Sequence, residues 1–205
     1  MLATLKRWLT PLMAGRADSG EEAVATSAAL VSADEGDIAV FLTALERAEL
    51  DGASPWRLGG EERLEALRRA LEFVVRHGVW PQLVGQRIAY WQGQLLTFRT
   101  ARGAPLGMLL VCRSAPESAW QLLFFFIVPE ARGRGHGAQL LSAACQRFPD
   151  APLQARLPKA ASAAQQCLIT TGFRRQHIDA LGMVTYELAQ VRQDMRINAG
   201  NEGEH

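Results

Sequence analysis

The sequence predicts a mixed α/β domain in which helices flank a β-sheet, and three observations carry that expectation. From residue 83 apolar residues recur with period two between turn residues, as successive strands require. Ile38, Phe41, Leu42 and Leu45, and then Leu64, Leu67, Leu71 and Val74, fall instead at helical spacing. Trp120–Val128 is an apolar run interrupted only by Gln121, the pattern of a strand covered on both faces, and a Gly-rich segment and a further helical stripe follow it.

Size and composition narrow the field. A chain of 205 residues is one ordinary domain with appendages. Hydrophobic residues at 48% and charged residues at 21% match a soluble globular protein with material for a sizeable core. The formal net charge of +1 gives no broad field to attract nucleic acid or an anionic membrane, so neither is an expected partner. Cys112, Cys145 and Cys167 are odd in number, widely spaced and set in apolar stretches, which fits buried free thiols in a reducing compartment. The four histidines show no ligand spacing with them, so no metal is expected. No stretch approaches the ~20 apolar residues of a membrane span. The N-terminal apolar run is interrupted by Lys6, Arg7 and Pro11, unlike a signal peptide, and the expected compartment is the cytoplasm.

Taken in order, residues 1–27 read as a tail: a short stripe of Leu2, Leu5, Leu9 and Leu12, then a small, polar linker. Residues 28–32 suit a strand. Asp34 and Asp37 are candidate N-caps for the first helix. Residues 51–60, with Gly52, Pro55, Gly59 and Gly60, form a loop. The second helix starts near Glu61, where Glu61 and Glu62 favour its dipole, and Gly78 and Pro81 stop it. Arg87–Trp91 and Gln94–Thr100 are strand candidates around Gln92-Gly93, followed by a turn at 101–105 and a strand over Leu106–Cys112. Pro129 ends the apolar strand. Leu140, Leu141, Ala144, Cys145 and Phe148 line a helix, and Leu153–Leu157 is a short strand. Ala160–Thr171 is a helix closed by Gly172, and Phe173–Ile178 with Met183–Leu188 make a last strand pair. The chain turns polar from residue 191.

The segment that carries chemistry is Ile127-Val-Pro-Glu-Ala-Arg-Gly-Arg-Gly-His-Gly-Ala138, placed between a buried strand and a helix. The first N–H groups of a helix have no internal partners, and the helix dipole adds positive potential there. Glycines let an anion approach the main chain closely. The result is an anion cradle, with Arg132 and Arg134 adding charge. It is not a Walker loop, which ends Gly-Lys-Ser/Thr where this chain has Gly137-Ala138-Gln139. Nor do Gly133, Gly135 and Gly137 keep the spacing of a dinucleotide fingerprint.

Arg132-Gly-Arg-Gly-His-Gly137 resembles the Arg/Gln-x-x-Gly-x-Gly/Ala signature of the Gcn5-related N-acetyltransferase (GNAT) family. The order of flanking elements is similar over roughly residues 28–190, which would be the GNAT domain, with 1–27 and 191–205 as tails. The resemblance implies a central, mostly antiparallel twisted sheet flanked by helices and splayed between its fourth and fifth core strands. It implies an acetyl-CoA-dependent N-acetyltransferase, with acetyl-CoA as co-substrate and no metal. The pyrophosphate would lie on Arg132, Gly133, Arg134, Gly135, His136, Gly137 and Ala138, and the pantetheine arm along Phe126, Ile127 and Val128. The acceptor would be an amine of a small molecule, peptide or protein, and a homodimer is compatible with the family.

The chain departs from the family where protons move. The tyrosine common four residues before the Gly of Gly-Phe is Leu168 here, the asparagine seven residues earlier is Ala161, and Trp120–Val128 holds no carboxylate. Cys167, Tyr186, Glu130 and Glu117 are candidate substitutes, none compelling, so no catalytic residue is assigned. A non-catalytic acyl-CoA sensor or interaction module is the alternative. The acceptor side is expected around Asp51–Gly60 and Asp179–Gly182, with Trp56 as wall or anchor. The scarcity of acidic groups there does not indicate a polycationic acceptor.

Overall fold

A computed structural model describes residues 28–188. The leucine stripe of the N-terminal tail and the polar C-terminal tail lie outside the described residues. Within them the chain runs β1 (Ala28–Ser32), α1 (Glu35–Leu50), α2 (Glu61–His77), β2 (Val79–Val84), β3 (Arg87–Thr100), β4 (Pro105–Arg113) and β5 (Trp120–Ile127). It continues through α3 (His136–Arg147), β6 (Leu153–Pro158), α4 (Ser162–Thr170), β7 (Arg174–Ile178) and β8 (Met183–Leu188). The strands form one sheet in the order β1-β3-β4-β5-β6-β8-β7, with β2 added to β3. Every pairing is antiparallel except β5 with β6.

Local chemistry sets the helix ends. Asp34 caps α1 by accepting from the Asp37 amide at 3.2 Å, while the Asp37 carboxylate accepts from the Asp34 amide at 3.1 Å. Asp37 also accepts from Thr97 Oγ1 at 2.9 Å and Arg99 Nη2 at 2.6 Å, which ties the start of α1 to β3. That carboxylate is buried, so losing it would leave the half-buried Arg99 without its ion pair and Thr97 without its acceptor. Gly78 ends α2 with a left-handed φ of 68°, and its N–H bonds the Val74 carbonyl.

The sheet divides the core in two. Phe41, Leu45, Leu71 and Val74 from α1 and α2 pack on one face. Leu140, Leu141 and Ala144 from α3 and Leu168 from α4 pack on the other. β4 serves both: Leu109 and Val111 turn toward α3 and α4, while Met108, Leu110 and Cys112 turn toward α1 and α2. β4, rather than β5, is therefore the strand sealed on both faces. β5 is half-buried over Phe125–Ile127 because its parallel partner leaves it. The β5–β6 pairing runs only from Trp120↔Leu153 to Leu122↔Ala155, and beyond that point the two strands diverge. This is the expected splay.

Three features differ from the sequence expectation. Gln92-Gly93 is not a turn: β3 runs unbroken through it, and the hairpin lies at Gly85-Gln86, where Gly85 has φ 62°. Gly93 is glycine for space, since a Cβ there would lie 2.9 Å from the Cβ of Trp80. Pro81 reads as a helix stop together with Gly78, yet it lies within β2, an edge strand that accommodates it. The chain between β5 and the glycines also makes a single 3-10 turn over Pro129–Ala131.

Candidate functional site

The candidate site follows the opening between β5 and β6. At one end lies the glycine segment. Gly133 and Gly135 have φ of 74° and 78°, and a Cβ on either would meet nothing within 4 Å. They are glycine for conformation, and they leave the space above the main chain open. Gly137 differs: a Cβ there would lie 2.6 Å from Cys167 Sγ, so this glycine is required where α3 meets α4.

Gly135 caps α3 without a side-chain hydrogen bond, and the first N–H with a protein acceptor is that of Gln139, to the Gly135 carbonyl at 3.2 Å. Among the described residues, the six preceding amides, Gly133 to Ala138, donate to no main-chain or side-chain acceptor. Six successive free donors thus stand at the positive end of a twelve-residue helix, where the potential favours an anion. Arg132 and Arg134 are exposed beside it. Arg132 Nε donates to the Ile127 carbonyl at 3.0 Å, fixing the arginine against the strand end. The His136 ring lies 2.9 Å from Gln139 Oε1, turned along the helix.

The strand leading to this cradle has one free edge. The Val128 amide bonds the Leu106 carbonyl at 2.9 Å, so Val128 and, by the alternation of an antiparallel ladder, Phe126 direct their main-chain groups to β4. Phe125 and Ile127 direct theirs into the splay. Of the three predicted arm-binding residues, then, Ile127 offers main-chain groups to the opening, while Phe126 and Val128 do not. A register shift between Leu110 and Val111 marks a bulge in β5, which leaves Leu123 and Phe124 both toward the α1/α2 face.

On that face, α1 and α2 cover the sheet only as far as β5. The uncovered half holds a cleft of about 480 Å³. Gln121–Leu123 of β5 and Gln154–Arg156 of β6 line it, at the point where the two strands part. Pro55 and Trp56 enter from the loop after α1, Trp91 from β3, and His177, Asp179, Met183 and Thr185 from the last hairpin. Both segments expected on the acceptor side, 51–60 and 179–182, thus contribute. No residue of Arg132–Ala138 lines the cleft, so cradle and cleft are separate places joined by the splay.

Trp56 is both wall and anchor. Its ring stacks on Trp80 at 6.0 Å with an interplanar angle of 27°, and it packs near Phe124 at 6.3 Å. Asp179 is fully engaged. One oxygen accepts from the Leu181 and Met183 amides at 2.8 and 3.0 Å, and the other accepts from Arg156 Nη2. The Arg156 guanidinium, and then the Met183 amide, hold this carboxyl below its ordinary value. The His177 ring lies 3.5 Å from Thr185 Oγ1.

The candidate proton-transfer residues are scattered. Leu168 is fully buried in the core. Tyr186 is also buried and donates its hydroxyl to Gln165 Oε1 at 3.0 Å, so it is a core residue. Glu130 and Glu117 are exposed, the latter before β5 at the end away from the cradle. Cys167 is half-buried beside Gly137, and burial pushes its thiol up. Burial likewise raises Cys145 and pushes Cys112 to about 12, so none of the three is an activated thiolate. The cleft residues that sequence reasoning missed, including Trp91, Gln154, Arg156 and Thr185, carry a faint signal. Gln154 with Arg156 alternates with buried Leu153, Ala155 and Leu157, as expected of a strand with one wet face.

No curated protein and no family model matches the sequence. Solved structures do. A variant of spermidine N-acetyltransferase from Vibrio cholerae is similar over 80% of this chain and 94% of its own, with a TM-score of 0.58 and 13% identity. A GNAT superfamily phosphinothricin acetyltransferase from Sinorhizobium meliloti, in complex with acetyl-CoA, is similar over 78% and 87%, with a TM-score of 0.58 and 18% identity. The aminoglycoside acetyltransferase AAC(6')-Ib, in complex with coenzyme A and kanamycin, is similar over 80% and 95%, with a TM-score of 0.56 and 15% identity. The order of elements, the single parallel pairing at the splay and these likenesses together establish that the chain has the GNAT acetyltransferase fold.

Proposed function

We propose that this protein is an acetyl-CoA-dependent N-acetyltransferase that passes the acetyl group directly to an amine. The observation that carries the proposal is the row of six free amides, Gly133–Ala138, at the end of a strand whose outer edge is also free. The cradle holds the pyrophosphate, with Arg132 and Arg134 adding charge. The arm runs along Phe126, Ile127 and Val128, pairing with the free amide of Ile127, whose carbonyl is held by Arg132. From Ile127 back to Leu123 is roughly 13 Å of strand at about 3.3 Å per residue, which brings the thioester from the cradle to the edge of the cleft. A main-chain amide of β5 beside the bulge polarises the thioester carbonyl.

The acceptor amine enters from the cleft. Its lone pair forms the C–N bond as the C–S bond breaks, one amine proton leaves, and the sulfur departs as thiolate. A thiol pKa near ~8.5 makes that leaving group acceptable without a protein acid, which suits a chain with Leu168 at the usual tyrosine position. Small-molecule amines are the favoured acceptors, in line with the spermidine and aminoglycoside acetyltransferases among the structural neighbours. The compartment proposed is the cytoplasm; among the described residues, no helix is long and apolar enough to cross a membrane.

The test is thiol release from acetyl-CoA with a broad panel of amines, paired with calorimetry of coenzyme A binding. Release with at least one amine is expected. Among the described residues the cleft lining holds no tyrosine and no cysteine, and its one carboxylate, Asp179, is paired, which favours one second reading, a non-catalytic acyl-CoA sensor. Tight binding with no release across the panel would select that reading, and no binding would remove both.

A further inference from the structure

The cleft's charge and shape define the class of amine it takes, an inference that rests on the cleft being the acceptor side of the reaction proposed above. We propose that the acceptor is an amine with a flat apolar body and no second positive charge, and that polyamines and aminoglycosides are poor ligands of this protein. Three observations lead there.

First, among the described residues the cleft lining offers an ammonium group no free carboxylate. Asp179 is the only acidic residue among them that lines it, and both of its oxygens accept hydrogen bonds within the protein. Two nearby acids are committed, and a third stands just beyond the lining. Glu49 Oε1 accepts from the Leu58 amide at 2.8 Å, Asp51 lies 3.7 Å from Arg47, and Glu187, the cross-strand partner of Gln154, lies outside the lining. A multiply cationic amine would give up water around each charge and gain no counter-charge, a loss that hydrogen bonds to neutral groups do not make good.

Second, the exposed charge at the cleft is positive. Arg156 keeps a side chain 55% exposed after pairing with Asp179, and His177 stands two residues before that aspartate. The Arg156 guanidinium repels a second ammonium and tolerates a carboxylate or a neutral polar group.

Third, the apolar wall is fixed. Trp56 is held by its stack on Trp80, and Trp91 is the cross-strand partner of Trp80. Two indoles on one side of a cleft, facing Gln154 and Thr185 on the other, suit a planar body that presses on the aromatic wall and hydrogen-bonds opposite it. The reacting amine needs no counter-charge, because it must be neutral to attack.

The experiment measures amine binding to the full-length protein by calorimetry, with and without saturating coenzyme A, so that turnover is not required. The probes are tryptamine, tryptophan, spermidine and kanamycin. The indole compounds should bind at least about tenfold more tightly than either polycation, and Trp91→Ala should weaken them about tenfold while coenzyme A affinity stays unchanged. Gln154→Glu, which installs a free carboxylate on the cleft floor, should bring spermidine binding up by a similar factor. Spermidine or kanamycin binding as tightly as the indoles would overturn the proposal, as would a wild-type protein that binds none of the four. Failure of coenzyme A to bind would instead remove the cradle assignment and leave the comparison of amines readable.

Discussion

The cradle and the cleft sit at opposite ends of one opening in the sheet and are built from different material. At the proposed cradle the donors are main-chain amides. Side chains there matter mainly by being small enough, or by permitting the left-handed φ of Gly133 and Gly135. At the cleft the main chain is occupied by the sheet, and the lining consists of side chains from the α1–α2 loop, six strands and the β7–β8 turn. The difference teaches where each site is vulnerable. A backbone site is destroyed by a change of conformation and is indifferent to most changes of polarity. A side-chain site is retuned by single substitutions that leave the fold alone, which is how one scaffold comes to serve different acceptors.

The largest expected effect is at the cradle. Gly135→Glu places a like charge over the amides and forces a non-glycine residue to φ 78°, at about 1–2 kcal/mol of strain. Coenzyme A affinity should fall about 100-fold or more, or roughly 2.7 kcal/mol, by calorimetry. Gly135→Asn, which tolerates the same φ, should keep most of the thermal stability and serves as the folding control. Affinity within a few-fold of wild type in Gly135→Glu would show that the two ends do not divide the work as described.

Next comes Gly137, a member of the same signature that is glycine for a packing reason. Gly137→Ala should destabilise the fold by about 1–3 kcal/mol in denaturant titrations, because the new methyl meets Cys167 Sγ. Adding Cys167→Ala should restore most of that loss, and no coupling between the two positions would refute the packing account.

A smaller effect belongs to the charges beside the cradle. Arg132→Ala and Arg134→Ala should each weaken coenzyme A several-fold at low salt and less at high salt, as exposed charges do. A salt-independent loss in either would mean a buried contact instead.

The smallest effect lies at the cleft and is acid-dependent. Asp179 has a lowered pKa when folded, so its contribution to the β7–β8 hairpin is complete above the ordinary carboxylate range. That contribution is lost as pH falls through the folded value. Thermal melts of wild type and Asp179→Asn should therefore differ at neutral pH and converge in acid; curves that stay parallel throughout would contradict the role given to this carboxylate.

These contrasts also explain what was legible beforehand. The cradle is local: strand, Pro129, glycines and helix are contiguous, so chain order alone displays it. The capping role of Asp34 and the helix stop at Gly78 are local as well and fell where expected. The cleft is not local. Trp91, Gln154, Arg156, His177 and Thr185 meet only through sheet order, and a residue with one wet face looks the same whether it borders a cleft or open solvent. β2 escaped notice because Pro81 reads as a stop signal, whereas an edge strand tolerates it. Gln92-Gly93 read as a turn because a strand glycine that makes room for Trp80 carries no mark of its partner. Gly137 was grouped with the anion-binding glycines because spacing cannot tell a glycine that admits a ligand from one that admits a neighbouring helix.

The central claim is that the amides of Gly133–Ala138 are the coenzyme's anchor. Amide-resolved NMR of the full-length protein during a coenzyme A titration tests it most directly. The account predicts that the Gly133, Gly135 and Gly137 amide signals move together and furthest, ahead of any resonance in the β7–β8 hairpin. Saturable binding that leaves those three signals in place would contradict it.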